Sequence, residues 1–244
     1  MQPRVLVGCP IFDGKEYCFK EFLAGLASLT YGNFDVCLVD NSKSTGFFKR
    51  LKQAASEWNE TRLQHFSVER MPFDTPSALE RIVRARNVLA KKVLDEGYGY
   101  FFSLEADVVP PADAIERLMA RKKDIVSGVY FNLVPVANSL VALVYKKIGV
   151  DEKGNEKTQS LTLEELLPSR LIENTRFTGV GCMLISRKVL EHVSFRFEPG
   201  ARAFDDWWFC TDANAKGFSV NADSSMFCMH YYRPWVTERS WGNK

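Results

Sequence analysis

The first hundred residues alternate apolar runs with helical patterns, and this rhythm constrains the fold more than any other sequence feature. The apolar runs consist mostly of aliphatic and aromatic residues, as expected for strands that are covered on both faces. The intervening segments repeat apolar residues every three or four positions, which predicts helices. Strand and helix in alternation predict an α/β fold with a mainly parallel central sheet and helices on both faces. Strands are predicted at 4–9, 34–39, 63–68 and 100–104, and helices at 17–30, 47–58 and 77–96.

The second half is less regular and predicts a smaller, mixed or antiparallel portion of the same domain. Residues 151–160 are polar and contain glycine, which favours a hairpin tip or a mobile loop. No repeat, low-complexity tract or linker interrupts the sequence, so we expect residues 1–244 to form one domain. Further strands are predicted at 124–131, 139–146, 178–186 and 226–231, and helices after Pro110-Pro111 and at 205–216.

Composition excludes some classes of protein. The balance of 32 Lys and Arg against 30 Asp and Glu leaves a formal charge of +2, too even to indicate nucleic acid or an anionic membrane as an obligatory partner. The sequence contains no stretch of about 18 apolar residues, so it predicts no membrane-spanning helix. Residues 1–4 lead directly into a predicted strand without the apolar region of a signal peptide, so a cytoplasmic location is expected. The six cysteines form no C-x-x-C pair, which favours buried thiols over a zinc site or disulfides.

Two acidic residues, Glu105 and Asp107, follow the apolar run 100–104. Ligands of open parallel sheets bind beyond the carboxyl ends of the strands. In an extended segment, side chains two positions apart point to the same side. Two carboxylates so placed repel each other unless a cation lies between them, and oxygen ligands suit Mg²⁺ or Mn²⁺. The alternative is that the two acids only mark a solvated strand end.

Asp40 and Arg86 are the other polar residues that the pattern singles out. Asp40 ends the second apolar run and can accept two hydrogen bonds from a ligand, although Asp-Asn-Ser is also ordinary turn chemistry. Arg86 lies three residues after Val83 and three before Leu89, on the apolar stripe of its helix. A buried guanidinium needs an anionic partner. That partner is either a core carboxylate such as Asp40 or a nucleotide phosphate or base.

Short segments along the chain resemble motifs of family 2 and related GT-A glycosyltransferases, in that family's order. Phe101–Pro111 resembles the region of the D-x-D motif, and Phe204–Cys210 resembles the Glu-Asp-Trp segment. Glu105 stands where aspartate is usual, and Asp205 where glutamate is usual. The resemblance implies a single Rossmann-like GT-A domain. The other similar segments are 5–13, 39–42, 84–87 and 177–187.

The resemblance implies a divalent cation, Mn²⁺ or Mg²⁺, and a nucleotide-sugar donor, most simply a UDP- or GDP-sugar. It makes Glu105 and Asp107 metal ligands. His230, at the end of the last apolar run, joins them as a third ligand, although a lone histidine there is often structural. The resemblance places the donor against Pro10, Phe12, Asp13, Asp40, Arg86, Glu105, Ala106 and Gly181.

The resemblance also implies a catalytic carboxylate at Asp205-Asp206. We expect Asp206 to take the proton of the acceptor hydroxyl in an inverting transfer and Asp205 to orient the acceptor. The alternative for either residue is a helix cap that complements the helix dipole.

The predicted function is therefore transfer of a sugar to an acceptor hydroxyl. The acceptor is a saccharide, a lipid-linked sugar, a small molecule or a modified macromolecule, and homo-oligomerisation stays open. A nucleotidyltransferase that makes sugar nucleotides and a non-catalytic binding protein are the alternatives. Residues from 1 to about 110 form the predicted nucleotide-binding half and about 111–232 the acceptor half. The tail 233–244 is a flap over the donor, an oligomer contact or an acceptor-recognition segment.

Overall fold

The computed structural model describes residues 2–134, 139–201 and 203–232, and its elements follow the predicted alternation. The helices are α1 (Phe19–Ser28), α2 (Thr45–Thr61), α3 (Ala78–Asp95), α4 (Ala114–Ala120), α5 (Leu163–Leu166), α6 (Arg187–Leu190) and α7 (Asp205–Ala215), with a 3₁₀ helix at Asp13–Cys18. The strands are β1 (Val5–Ile11), β2 (Phe34–Asp40), β3 (Phe66–Arg70), β4 (Tyr100–Leu104), β5 (Val108–Val109), β6 (Ile125–Val129), β7 (Phe131–Val134), β8 (Ser139–Ala142), β9 (Val144–Val150), β10 (Glu156–Ser160), β11 (Leu171–Ile172), β12 (Phe177–Thr178), β13 (Cys182–Ser186), β14 (Val220–Phe227) and β15 (Met229–His230).

Eight strands form the central sheet in the order β11-β14-β6-β13-β4-β1-β2-β3. Strands β1, β2, β3 and β4 are parallel, as their separation by helices predicts. Strand β13 is antiparallel to both of its neighbours, β4 and β6, and β11 is antiparallel to β14. The remaining pair, β6 and β14, is parallel. The prediction of an α/β fold with a mostly parallel sheet is confirmed.

Helices cover both faces of this sheet because successive side chains of its strands point to opposite sides. Val5 and Val7 pack in one core with apolar residues of α1, α2 and α4. Leu6 packs in a second core with residues of α3, α6 and α7. At Gly8, an added Cβ would lie 2.5 Å from the ring of Phe101 and 3.0 Å from the side chain of Leu89. Glycine at this position therefore lets α3 pack closely on the sheet.

Three smaller sheets surround the carboxyl edge of the central one, and two of them correct the predictions. Residues 156–160, expected in a loop, form β10, which pairs with β9; only residues 151–155 make the hairpin tip. Their polar sequence conceals the strand because β10 lies at a sheet edge with its side chains largely in solvent. The single strand predicted at 226–231 is two strands. Phe227 ends β14, and Met229–His230 pairs instead with β5.

Other predictions concern the whole chain. The six cysteines are buried and free, as expected. No helix within the described ranges has the length and apolar character needed to cross a bilayer. The cytoplasmic location stays a prediction. The tail 233–244 lies outside the described residues, and so do the alternatives raised for it.

Candidate active site

Arg86 is the centre of the polar cluster at the carboxyl edge of the sheet. Its side chain is 1% exposed, and all of its nitrogen atoms are bound. Nε donates to Asp205 Oδ2 at 2.5 Å, Nη1 to Ser103 Oγ at 2.7 Å, and Nη2 to Glu105 Oε1 at 2.7 Å. Burial opposes the positive charge, but Asp205 and Glu105 outweigh it and raise the pKa of Arg86. One guanidinium thus joins the ends of β4 and α7.

The inward orientation predicted for Arg86 is confirmed, and its partners are carboxylates of the chain itself, as one of the two alternatives predicts. They belong to Asp205 and Glu105, however, and not to Asp40. Asp40 belongs to a separate cluster, where its Oδ1 accepts from the amide of Ser42 at 3.0 Å and from the Ser42 hydroxyl. The reason is topological. β2, which ends in Asp40, is two strands away from β4, whereas α7 begins at Asp205, whose carboxylate reaches Arg86 in the middle of α3.

The segment Glu105–Asp107 is a turn rather than an extended strand end, closed by the Val108 amide, which donates to Glu105 O at 2.9 Å. The turn forms because Val108 must enter β5 and pair with His230. The extended conformation expected for this segment is therefore wrong, and the turn gives the two carboxylates different partners. Glu105 reaches Arg86, whereas Asp107 faces Lys15 and His230.

Asp107 is a buried carboxylate between the side chains of a lysine and a histidine. Lys15 Nζ donates to its Oδ2, and His230 Nε2 lies 3.4 Å from the same oxygen. Burial would raise the pKa of Asp107, but His230 and Lys15 outweigh burial and lower it to about 2. Burial opposes protonation of His230, but Asp107 raises its pKa overall. The predicted proximity of Asp107 and His230 is thus found across the β5–β15 pair.

Glu105, Asp107 and His230 are the residues that the sequence predicts as ligands of a divalent metal. Within the described ranges, no three acidic, histidine or cysteine side chains form a ready metal cluster. Asp107 Oδ1, however, is buried and has no hydrogen-bond partner in the described part of the chain. A buried carboxylate oxygen without a partner, next to an imidazole, fits a metal whose remaining ligands come from a bound donor. Glu105 is held by Arg86, so its role as a third ligand stays a prediction.

A second group of polar atoms lies where β1 and β2 end. Asp40 and Asn41 are 0% and 5% exposed, yet Asp40 Oδ2 and Asn41 Nδ2 have no hydrogen-bond partner among the described residues. Ser42 Oγ accepts from the amide of Asp13 at 2.9 Å, which ties this group to the segment after β1. In that segment Pro10 is half-buried, and the side chains of Phe12 and Asp13 are exposed. An unpaired buried hydrogen-bond acceptor on one residue and an unpaired buried hydrogen-bond donor on the next suit a ligand that can both donate and accept hydrogen bonds.

Two glycines before β13 allow other groups to approach the cluster. An added Cβ at Gly179 would lie 2.2 Å from the hydroxyl oxygen of Tyr130. At Gly181 it would lie 2.7 Å from that oxygen and 2.8 Å from Glu105 Oε2. The Gly181 amide donates to the Tyr130 hydroxyl at 2.8 Å. Tyr130 and Glu105 of the chain itself therefore approach Gly181 closely, and its contact with the donor stays a prediction. Ala106, the remaining residue predicted to contact the nucleotide-sugar donor, lies in the turn after β4 and is 1% exposed.

The two aspartates that begin α7 differ in environment. Asp205 is 7% exposed and bound to Arg86, whereas Asp206 is half-buried and accepts from the amide of Trp207 at 2.7 Å. Burial and the nearby Asp205 carboxylate raise the pKa of Asp206 to about 7. The helix begins after Phe204, and no side chain in the described part of the chain caps it at that residue. Of the two aspartates, Asp206 is thus the one with a pKa near neutrality, and its role as a base stays a prediction.

Half-buried aromatic rings lie beside Asp206. Tyr145 stacks on Phe177 with ring centroids 4.2 Å apart, and Phe177 meets Trp207 edge-on at 5.1 Å. The pKa of Tyr145 is raised by burial and by the charge of Asp206, which places the two groups near each other. The adjacent Trp208 packs differently, under the guanidinium of Arg196 at 4.0 Å.

Three residues of the cluster, Lys15, Ser103 and Tyr130, are not predicted by the motifs or by the apolar pattern of the sequence. A buried serine inside the aromatic run of β4 was a readable signal, because a buried hydroxyl needs a partner. Tyr130 looked like an ordinary core aromatic. Lys15 lies in a 3₁₀ helix with no periodic pattern, and no local feature marks it.

Comparison with solved structures identifies the fold. A crystal structure of GalNAc-T7 described as holding UDP, GalNAc and Mn²⁺ matches 96% of this chain with a TM-score of 0.68 and 14% sequence identity. The chain has the GT-A glycosyltransferase fold. Structures of S. aureus TarS, in one case of its residues 1–349, match 92% of the chain with TM-scores of 0.55 at 13% and 12% identity.

The likeness is one of fold. The chain spans 44% of the GalNAc-T7 chain, and 36% and 60% of the two TarS chains. No protein-family model matches the sequence, and a comparison with curated proteins gives no match. The GT-A fold nevertheless agrees with the fold implied by the sequence resemblance.

Proposed function

We propose that the protein is a divalent-metal-dependent glycosyltransferase that moves a sugar from a nucleotide-sugar donor to an acceptor hydroxyl with inversion. One observation carries the proposal. On a GT-A fold, Asp206 has a pKa of about 7 and directly follows Asp205. Arg86 joins Asp205 to Glu105, which lies two residues before the candidate metal ligand Asp107. GalNAc-T7, which has the same fold, is described with UDP, GalNAc and Mn²⁺.

The donor would bind between the two groups of polar atoms at the sheet edge. The unpaired Asp40 Oδ2 and Asn41 Nδ2 would receive the base or ribose of a UDP- or GDP-sugar, with Phe12 and Asp13 beside it. A buried polar atom that gains its missing partner in the complex favours binding, because leaving it unpaired costs about 1–3 kcal/mol.

Asp107 Oδ1 and His230 would hold the metal, with Glu105 as the further candidate. A divalent ion bound there would neutralise the diphosphate and stabilise it as a leaving group. Arg86 would keep the carboxylates of Glu105 and Asp205 in fixed positions at the site.

Asp206 would act as the general base. The acceptor oxygen attacks the anomeric carbon, its proton passes to the Asp206 carboxylate, and the bond from that carbon to the diphosphate breaks. A base whose pKa lies near the operating pH transfers protons efficiently. The half-buried rings of Tyr145, Phe177 and Trp207 would form one wall of the acceptor site.

A thermal-shift experiment with UDP and GDP, with and without Mn²⁺, tests the donor and metal parts. Ligand at a hundred times its dissociation constant adds about 2.7 kcal/mol of apparent stability. The metal-dependent part of the shift should disappear in Asp107→Ala and persist in Asp95→Ala, an exposed aspartate of α3 that serves as control. A full metal-dependent shift in Asp107→Ala would contradict the metal assignment.

Product analysis with UDP- and GDP-sugars tests the reaction. Release of a nucleoside diphosphate indicates sugar transfer, pyrophosphate indicates nucleotidyl transfer, and no product indicates binding alone. Asp206→Asn should bind UDP and Mn²⁺ like the parent but lower turnover by about 10²–10⁴-fold. Turnover close to that of the parent would remove Asp206 from the mechanism.

A further inference from the structure

Lys15 pairs with the carboxylate that the proposed function assigns to the metal, and no step of that reaction uses it. Its ammonium group donates to Asp107 Oδ2, with side-chain exposures of 28% and 7%. The other oxygen of Asp107, Oδ1, is the one without a hydrogen-bond partner among the described residues. Lys15 therefore supplies a positive charge to the carboxylate that would hold Mn²⁺.

The backbone around Lys15 is anchored on both sides of the site. Its amide donates to Phe12 O at 2.9 Å, and Cys18 Sγ donates to Lys15 O at 3.2 Å and to Ala106 O at 3.3 Å. The amide of Asp13 binds Ser42, beside the unpaired atoms of Asp40. The 3₁₀ helix thus extends from the candidate nucleoside group to the Asp107 turn.

This position lies between the residues proposed for the nucleoside and those proposed for the metal. In a nucleotide sugar, the diphosphate joins the nucleoside to the sugar and would span the same interval. A lysine ammonium is a mobile point charge on a flexible stem and can pass from one anionic partner to another. The backbone that carries Lys15 can stay in place while its ammonium group moves.

We propose that Lys15 binds the donor diphosphate and is held on Asp107 until metal and donor arrive. This role rests on the proposed function. A cation already on Asp107 weakens the binding of a second cation, so Mn²⁺ alone binds poorly. With Asp107 held by a metal, the ammonium group of Lys15 would pass to a phosphate oxygen of the donor. Metal and donor therefore strengthen each other's binding by the same factor.

The test compares binding in the parent and in Lys15→Met, with Lys20→Met, an exposed lysine of α1, as the matched control. Free Mn²⁺ is measured by electron paramagnetic resonance in the absence of nucleotide, and UDP binding by calorimetry at saturating Mn²⁺. Lys15→Met should bind Mn²⁺ about fivefold or more tightly and UDP about fivefold or more weakly, the lower end of common coupling factors. Lys20→Met should change neither value.

Two further variants separate this role from a loss of structure. Lys15→Arg keeps the charge and should restore most of the UDP affinity. In an Asp107→Asn background, Lys15→Met should no longer tighten Mn²⁺ binding, because the carboxylate for which the two cations compete is gone. Thermal melting of each variant checks that it is folded.

The outcomes distinguish this role from the proposed function. If the parent binds Mn²⁺ and UDP but Lys15→Met leaves both affinities unchanged, or weakens Mn²⁺ binding, the role of Lys15 is wrong and the proposed function stands. If the parent binds neither UDP nor GDP with Mn²⁺, the proposed function is wrong, and the role of Lys15 is wrong with it.

Discussion

Replacing Arg86 by methionine should destabilise the protein more than any other single change at the site. The variant keeps the apolar stem but removes three hydrogen bonds, two of them to the carboxylates of Asp205 and Glu105. Removing one partner of a buried ion pair costs about 3–5 kcal/mol, because the remaining charge is buried without compensation. Arg84→Met is the matched control, since Arg84 is 42% exposed and pairs on the same helix. Exposed pairs contribute about 0–1 kcal/mol.

Urea unfolding followed by circular dichroism measures both variants. The loss of stability in Arg86→Met should also depend on pH. Burial already raises the pKa of Glu105 in the parent although Arg86 lowers it, so without Arg86 this pKa rises further and the stability of the variant falls as pH rises through it. The difference in the free energy of unfolding between the parent and Arg86→Met should be largest near pH 7. It should become smaller as pH falls towards about 4, where carboxyl groups become protonated. A loss below about 1 kcal/mol at pH 7, or one equal to that of Arg84→Met, would refute the reasoning.

The remaining predictions concern Asp206 and Gly181. Because the folded-state pKa of Asp206 is raised to about 7, its charge costs stability at higher pH, so Asp206→Asn should melt above the parent at pH 8 and close to it at pH 4. The parent's kcat/KM should rise with pH around an apparent pKa near 7, and a flat profile would contradict a base at this position. Gly181→Ala should lower the free energy of unfolding by about 1–3 kcal/mol in urea, because its Cβ meets Tyr130 and Glu105. Gly32→Ala, which has open space around its Cβ, should show no such loss.

The parts of the fold that depend on local pattern could be predicted from the sequence. β4 has the bounds that its apolar run predicts, and α3 lies within one residue of its predicted ends. β10 was missed because its polar residues at a sheet edge give no apolar alternation, although its backbone pairs with β9. The spacing of apolar residues indicates which elements are buried, so a strand without buried side chains cannot be recognised from it.

The candidate site was predicted less completely, for a physical reason. The inward orientation of Arg86 followed from three residues on one stripe, but its partner Asp205 lies 119 positions away. The choice between Asp205 and Asp40 depends on strand order, which no local pattern contains. The contact of Lys15 with Asp107 spans 92 positions and has the same origin. Residue types indicated the chemistry, whereas the pairing depended on the topology.

The antiparallel strand β13 has a consequence for how the chain is made. It pairs with β4 in the register Cys182 to Leu104, so the edge of β4 stays unpaired until β13 has been synthesised. At about 5–20 residues per second, the intervening stretch takes roughly 4 to 16 s to translate. During that interval, the nascent chain presents an apolar strand edge that another chain can pair with. We therefore expect the first four strands to be prone to aggregation during translation, so slower synthesis between β4 and β13 should lower the yield of folded protein.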